Sequence, residues 1–267
     1  MRLRSSLALL LLWWGACAAQ TVVPLQLEDD DYILTLRIGD AHLKAVLDTS
    51  GGYGIAIAPE ALSRLRVRFN GDTVERSGMG GEKFRGRDFV IPSMELGDTV
   101  FLSVDGFERR HGGGDGDTPY DVVIGNAFLE RYTVVIDYPR QRLELHPPGR
   151  GSAVCGAPSA ALTPTQNRIV FSSVRTDSGV MNLGWSSGAT YSVVLKTVAY
   201  LRGLTLKDGF YSTRRFALGG LNAGPVDMAA FDVPGIPDLD GLIGSDFFER
   251  FRVCFDYAEH TVSVRPD

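Results

Sequence analysis

The 267 residues include 27 basic and 32 acidic side chains, which gives a formal net charge of −5. This acidic balance disfavours binding to nucleic acid or to anionic membranes. The length allows one large domain or two small ones, and 44% hydrophobic residues are enough for a packed core. The 31 glycines and the many β-branched and aromatic residues favour numerous strands and turns over long helices. We therefore expect an all-β fold with short helices.

The first residues have the pattern of an export signal. Two arginines precede an apolar run at 7–14 that is too short to span a bilayer, and small residues at 16–18 would permit cleavage. We expect residues 1–19 to be a signal peptide and the mature protein to be exported, periplasmic or secreted, and soluble. An uncleaved anchor and lipidation at Cys17 are the alternatives, and no later run is long enough for a transmembrane helix.

Short strands and turns follow along the chain. Alternating apolar residues predict a strand at 32–38, and the apolar run at 43–47 predicts a second strand that delivers Asp48 to a turn. Pro59 with an acid beside it predicts the start of a short helix. The remaining predictions for this half are a polar, glycine-rich loop at 108–118, a strand at 122–124 with a short helix after it, and a hairpin of strands at 133–137 and 142–146.

The second half of the chain repeats the first. Residues 149–165 are rich in Pro, Gly, Ala and Ser and are predicted to form a linker. The pattern Ile-Gly-x-x-Phe-x-Glu-Arg, followed by Asp-Tyr, occurs at 124–138 and again at 243–257. The sequence therefore predicts an internal duplication, with a first lobe at 20–148 and a second lobe at 166–267.

The segment around Asp48 is the most informative in the chain. Residues 45–51 form an apolar strand end followed by Asp48-Thr49-Ser50-Gly51, a combination that delivers a carboxylate to a tight loop at the mouth of a cleft. Residues 182–188 have the same shape, and matching the two segments end to end places Trp185 at the position of the acid. We expect Trp185 to stand in place of a second Asp.

These motifs resemble those of the aspartic peptidases, and the Ile-Gly-x-x-Phe-Leu…Asp-Tyr ending looks like the bacterial retropepsin-like branch. Two such lobes in one chain resemble the pepsin arrangement. The resemblance implies a two-lobed, acid-protease-like β-barrel fold that binds a peptide or protein in its inter-lobe cleft and needs no cofactor. It also implies that Asp48 is the first catalytic Asp, that the Thr49 hydroxyl braces the loops, and that Gly51 and Ser186 belong to the binding site. Ser50 departs from the glycine that the family carries.

The chemistry of this family needs two acids. Two close carboxylates cannot both be charged, so one takes a proton from water while the other, protonated, donates to the scissile carbonyl. With Trp185 at the second position, we expect a degenerate peptidase that binds peptide or a partner protein without cutting. The alternative is an active endopeptidase that pairs Asp48 with a substitute acid or with a second molecule. Trp185 would either offer contact area at the cleft floor or fill the vacated space and join the core.

Three other motifs contain residue types that are found in catalytic sites. Asp177-Ser178-Gly179 looks like the catalytic motif but does not follow an apolar strand end, so we predict a hairpin turn. Asp240 and Asp121 occupy the same place in both copies, which indicates a structural role. Residues around Ser186 also fit a Gly-x-Ser-x-Gly nucleophile elbow, with a lipase-like loop beginning at His111 and with His260 following in the right order. A serine esterase is therefore a further alternative, although its alternating strands and helices are not predicted here.

The cysteines and histidines leave fewer inferences. After removal of the leader the chain retains Cys155 and Cys254, and export permits a disulfide between them. Two positions alone do not establish pairing, and a buried thiol at Cys254 is the alternative. The 4 histidines are scattered and no Cys-x-x-Cys occurs, so no metal site is predicted.

Overall fold

The computed structural model of the chain describes residues 20–77, 83–109, 120–232 and 238–266. The predicted signal peptide with Cys17, and all but the first two residues of the predicted loop at 108–118, His111 included, lie outside the described residues. Within the described ranges, no helix is long and apolar enough to cross a membrane.

The chain consists mainly of strands, as the sequence predicts. The elements of the first half are β1 (Thr21–Pro24), β2 (Gln26–Glu28), β3 (Asp31–Ile38), β4 (Ala41–Asp48), β5 (Ile55–Ile57), α1 (Pro59–Leu62), β6 (Arg68–Ser77), β7 (Lys83–Leu96), β8 (Thr99–Glu108), β9 (Val122–Gly125), α2 (Asn126–Leu129), β10 (Thr133–Asp137) and β11 (Arg142–His146). Those of the second half are α3 (Gly151–Val154), β12 (Ala160–Ala161), β13 (Thr163–Pro164), β14 (Val170–Thr176), β15 (Gly179–Trp185), β16 (Val193–Leu195), α4 (Lys196–Leu201), β17 (Phe210–Thr213), β18 (Ala217–Leu218), β19 (Leu221–Asn222), β20 (Val226–Phe231), β21 (Gly241–Ile243), α5 (Ser245–Phe248), β22 (Phe251–Asp256) and β23 (Thr261–Pro266). The all-β fold with short helices is confirmed.

Each half builds its own sheet on the same plan. The first has the strand order β2-β3-β4-β9-β5-β8-β7-β6, and the second runs β17-β20-β16-β21-β15-β14-β18-β19, with β13 beside β14. In each sheet the strand that ends at the candidate loop pairs in parallel with the strand of the Ile-Gly motif, β4 with β9 and β15 with β21. On its other side, that motif strand pairs antiparallel with β5 or β16. The two halves therefore present their loops at equivalent positions.

A third sheet joins the halves. Its order is β1-β11-β10-β22-β23-β12, so it takes strands from both ends of the chain. The antiparallel pairing of β10 with β22 sets Val135 opposite Cys254, which are matching residues of the two sequence repeats. An approximate two-fold axis therefore passes between these strands. The disulfide that the sequence left open is formed there, between Cys155 and Cys254, with their Cα atoms 5.4 Å apart.

The segment at 149–165, predicted as a linker, is partly structured. It contains the short helix α3, which ends beside the disulfide, and it contributes β12 to the joining sheet and β13 to the sheet of the second half. Its path therefore fastens the segment to the second half, by backbone pairing with β23 and β14 and by the disulfide to Cys254 in β22.

Strand alternation fixes which side chains of β4 reach the loop. Ala45 and Leu47 point into the main core, whereas Val46 lies in a separate small cluster on the opposite face. Because successive side chains of a strand point to opposite faces, Asp48 follows Val46 onto the face away from the main core. The fold thus presents Asp48 outward while the buried residues on either side of it hold the strand.

Candidate functional site

The loops that follow β4 and β15 meet and brace each other. The hydroxyl of Thr49 donates to the carbonyl oxygen of Trp185 at 2.9 Å and accepts from the backbone N–H of Ser187 at 3.0 Å. In the opposite direction, the hydroxyl of Ser187 donates to the carbonyl oxygen of Leu47 at 3.0 Å and accepts from the N–H of Thr49 at 3.1 Å. Thr49 and Ser187 therefore play the same part in the two loops, and the bracing expected of Thr49 is present.

This brace and the strand register identify the counterpart of Asp48. Leu47 and Trp185 each lie opposite the isoleucine of the repeated Ile-Gly motif, in the two parallel strand pairs. Trp185 is therefore the counterpart of Leu47, and Ser186 is the counterpart of Asp48, at a step of 138 residues. The prediction that Trp185 replaces the second acid is wrong by one residue, because Ser186 stands at that position.

Trp185 belongs to the core of the second half. Its side chain is 0% exposed, and its indole N–H donates to the hydroxyl of Ser172 at 3.1 Å. Three phenylalanine rings pack edge-on against the indole at centroid distances of 5.5 to 5.9 Å: Phe247, Phe248 and Phe255. Trp185 therefore does not offer contact area at the cleft floor. The alternative is confirmed in that Trp185 joins the core, but it does not fill the position of the missing acid, which Ser186 occupies.

Asp48 is surrounded by hydroxyl groups. Its Oδ1 accepts from the backbone N–H of Ser50 at 2.9 Å and from the hydroxyl of the same residue at 2.6 Å. Its Oδ2 accepts from the hydroxyl of Tyr53 at 3.3 Å. The Ser50 hydroxyl also lies 3.0 Å from that of Ser186, which links the two loops. Within the described part of the chain, no carboxylate is hydrogen-bonded to Asp48.

Tyr53 connects Asp48 to a cation. Arg109 donates from Nη1 to the Tyr53 hydroxyl at 2.8 Å, and its guanidinium lies 5.4 Å from the centroid of that ring. Burial, and then the nearby charge of Asp48, raise the pKa of Tyr53, so its hydroxyl remains a donor. A Cβ atom at Gly51 would lie 2.8 Å from Cζ of Tyr53, so this ring position requires glycine there. Sequence reasoning missed both Tyr53 and Arg109.

Two small apolar clusters pack on the strands that lead into the braced loops. On the face shared with Asp48, buried residues of the first half are covered by two tyrosines; the set is Ile33, Val46, Ala56 and Val123, with Tyr53 and Tyr120. The corresponding face of the second half, beyond Gly184, carries Ile169, Leu239 and Leu242, with Phe171 and Val193. A Cβ atom at Gly184 would contact the first three of these, so they cover the strand that leads to Ser186.

The other acids singled out by the sequence have structural roles. Asp177 lies in the turn between β14 and β15, as predicted, where its carboxylate accepts a backbone N–H. Asp240 accepts the N–H of Asn182 at 2.9 Å, and Asp121 accepts the N–H of Lys44 at 3.4 Å. Because Lys44 and Asn182 are also 138 residues apart, the two acids make the same contact in both halves. The predicted structural role of this pair is confirmed.

The surroundings of Ser186 do not form a nucleophile elbow. The residue is 1% exposed, and the loop that contains it runs from β15 into β16, not into a helix. An elbow needs a sharp strand-to-helix turn that exposes the hydroxyl. His260 lies in the turn between β22 and β23 of the joining sheet. The esterase alternative therefore lacks its structural context.

Comparison with solved structures identifies the fold. The crystal structure of the aspartic proteinase from Irpex lacteus superposes with a TM-score of 0.64 and 15% sequence identity, covering 93% of this chain and 97% of the other. No profile of a known protein family matches the sequence. A search of curated proteins finds no matching relative. The predicted two-lobed, acid-protease-like fold is confirmed, and a likeness at this identity shows the fold alone.

Proposed function

We propose that the chain is an exported member of the aspartic peptidase superfamily, with duplicated retropepsin-like repeats in a pepsin-like arrangement, that binds peptide between its lobes without hydrolysing it. The single observation that carries this proposal is the identity of the residue opposite Asp48. Ser186 stands where a second acid is needed, and the partners of Asp48 are hydroxyls and one backbone N–H.

One carboxylate cannot complete the reaction. As the oxygen of water forms its bond to the carbonyl carbon, the water proton passes to the ionised acid, and the carbonyl oxygen takes a proton from the second acid. Breaking the C–N bond then requires a proton on the departing nitrogen. Ser50 and Ser186 are the groups beside Asp48, and an aliphatic hydroxyl holds its proton far more tightly than a carboxylic acid does. The site therefore retains a base and lacks the acid.

An intermolecular dyad is disfavoured by the brace. Four hydrogen bonds join the loop of Asp48 to the loop of Ser186 in the same chain. A second molecule could present its own acid only after these buried contacts were broken and the second lobe was displaced. The alternative of an active endopeptidase with a partner copy therefore carries a large free-energy cost.

The surfaces beside the loops support a peptide ligand. We expect an extended segment with one residue at Asp48 to set its neighbouring side chains against the partly buried residues that cover the two clusters: Tyr53 and Tyr120 in the first half, Phe171 and Val193 in the second. Apolar burial of this kind is the main source of affinity in peptide grooves, while a few polar groups fix orientation. We expect the ligands to be segments with apolar side chains on both sides of the residue at Asp48.

The proposal is tested on the mature protein with fluorescent peptides of mixed apolar sequence. We expect saturable binding by fluorescence anisotropy and, by mass spectrometry of the same mixtures at acidic and neutral pH, intact peptides. Binding should weaken in Asp48→Asn and persist in Ser173→Ala, a control hydroxyl on the exposed face of β14. Acid-optimum cleavage that Asp48→Asn abolishes, or the absence of any binding, would overturn the proposal. N-terminal sequencing of exported protein tests the leader, with Ala19 or Gln20 expected first.

A further inference from the structure

The two braced loops provide an internal comparison at their third position. In the second loop this position is Gly188, and a Cβ atom there would lie 3.1 Å from both Cβ and Cγ of Asp48. The missing side chain therefore leaves room for the carboxylate. In the first loop the third position is Ser50, which faces Ser186. The same pair of hydrogen bonds runs in each direction between the loops. The position of residue 50 relative to residue 186 is therefore equivalent to the position of Gly188 relative to Asp48.

Ser50 occupies the space that a second carboxylate would need. Ser186 already carries a Cβ atom, so an aspartate there would add a carboxylate carbon at about the place of the present hydroxyl oxygen, which lies 3.0 Å from the Ser50 hydroxyl oxygen. A carboxylate carbon does not hydrogen-bond, and non-bonded carbon contacts are optimal at roughly 3.5 to 4.0 Å, so it would lie too close to Ser50. The Ser50 hydroxyl, 2.6 Å from Asp48 Oδ1 and 3.0 Å from Ser186 Oγ, fills the remaining gap. Ser50 therefore lies between Asp48 and any carboxylate placed at residue 186 and crowds that carboxylate.

The same side chain reproduces one function of the missing acid. A protonated partner acid would donate a hydrogen bond to the ionised one, and Ser50 donates both its hydroxyl and its N–H to the same oxygen of Asp48. Its backbone does not lie in the left-handed region, so the serine is accommodated without strain at φ. Ser50 cannot release its proton to a substrate. Asp48 is thus held in place, while the step that needs an acid is lost.

We propose that Ser50 is the positioning residue of a one-acid site, and that Ser50 and Ser186 together make the site bind intact peptide rather than cleave it. This inference rests on the proposed function, and it adds that the missing acid is compensated within the site. Restoring the acid alone does not restore hydrolysis, because Ser50 remains in its way. Removing Ser50 and restoring the acid together rebuilds two facing carboxylates with glycine at both third positions.

The test is a cycle of Ser186→Asp, Ser50→Gly and the double variant, with Ser173→Ala as the control. We expect the parent, the control and both single variants to leave apolar peptides intact. The double variant should cleave them with an acid optimum, at least tenfold faster than Ser186→Asp. It should also be inhibited by a peptide isostere with a central hydroxyl, which mimics the tetrahedral intermediate. By thermal unfolding, Ser186→Asp should melt below the parent, and adding Ser50→Gly should raise its melting temperature.

The inference is overturned if the double variant gains no hydrolysis over Ser186→Asp or if the two melting shifts are simply additive. A double variant that does not fold overturns it as well, because relief of the close contact predicts a protein at least as stable as Ser186→Asp. The proposed function is judged separately on the parent. Cleavage by the parent refutes the proposed function, whereas an inactive parent with an additive cycle refutes the role of Ser50 alone.

Discussion

Replacing Thr49 by valine should weaken the hydrogen-bonded contact between the two loops and so lower the stability of the protein. The substitution keeps the shape of the side chain and removes only its hydroxyl, which is fully buried and serves two hydrogen bonds. The carbonyl of Trp185 then loses a donor and the N–H of Ser187 loses an acceptor. A buried polar group left unsatisfied costs about 1–3 kcal/mol. We therefore expect Thr49→Val to lower the free energy of unfolding by about 2–6 kcal/mol.

Urea unfolding followed by circular dichroism measures this loss as a shift of the transition midpoint at constant slope. The matched control is Ser173→Ala, which removes an exposed hydroxyl that donates to Asn182 Oδ1 at 2.9 Å. Substitutions at exposed positions usually change stability by less than about 0.5 kcal/mol. If Thr49→Val shifts the midpoint no more than the control does, the brace does not couple the loops, and the alignment of Ser186 with Asp48 loses one of its two supports.

Three further predictions follow from other parts of the molecule. Trp185 is the only tryptophan after residue 14, and its side chain is buried. The mature chain should therefore show blue-shifted tryptophan emission that acrylamide quenches poorly and that added peptide leaves unchanged. A change of this emission on peptide binding would show that Trp185 lies at the binding site. Burial raises the pKa of Asp246, so stability that is present below its usual pKa of 3.8 is lost as the pH rises through the raised value. Asp246→Asn keeps the acceptor for Ser192, so its urea midpoint should fall less between acidic and neutral pH than that of the parent, and parallel curves would contradict this. Removing both Cys155 and Cys254 opens a link between residues 99 apart and should lower the free energy of unfolding by about 4–5 kcal/mol. Equal urea midpoints of the parent under reducing and non-reducing conditions would contradict this.

Local patterns in the sequence predicted most of the fold and the first half of the site. The alternation in β3 and β4 placed Asp48 at a strand end, and the repeated Ile-Gly motif located the equivalent strand in the second half. Such patterns have the period of the strand itself, so they are readable without knowledge of distant contacts. The hairpin of β10 and β11 was predicted with the bounds that the structure gives.

The error at Trp185 has a physical cause. Matching the two loop segments at their final glycines shifted one strand by a single residue, and such a slip moves every side chain to the opposite face. The correct signal was the alternation itself, since Leu183 and Trp185 point into the core in phase with Ala45 and Leu47. Tyr53 and Arg109 were missed for a different reason. Their contacts join residues 56 positions apart, and no local pattern records such a pair.

The corrected register changes what the site implies. A tryptophan in place of the acid would mean a filled position, whereas Ser186 leaves the loop with its brace and its glycine and removes only the carboxylate. The brace alone does not argue for a ligand, because it stabilises the fold whether or not anything binds. The carboxylate of Asp48 is the feature that supports the proposed ligand. A partly buried carboxylate is costly unless it is hydrogen-bonded, and this chain supplies three donors from Ser50 and Tyr53 to maintain it. An apolar residue would fill the same position with no such requirement, so the retained carboxylate is the feature that the proposed function explains.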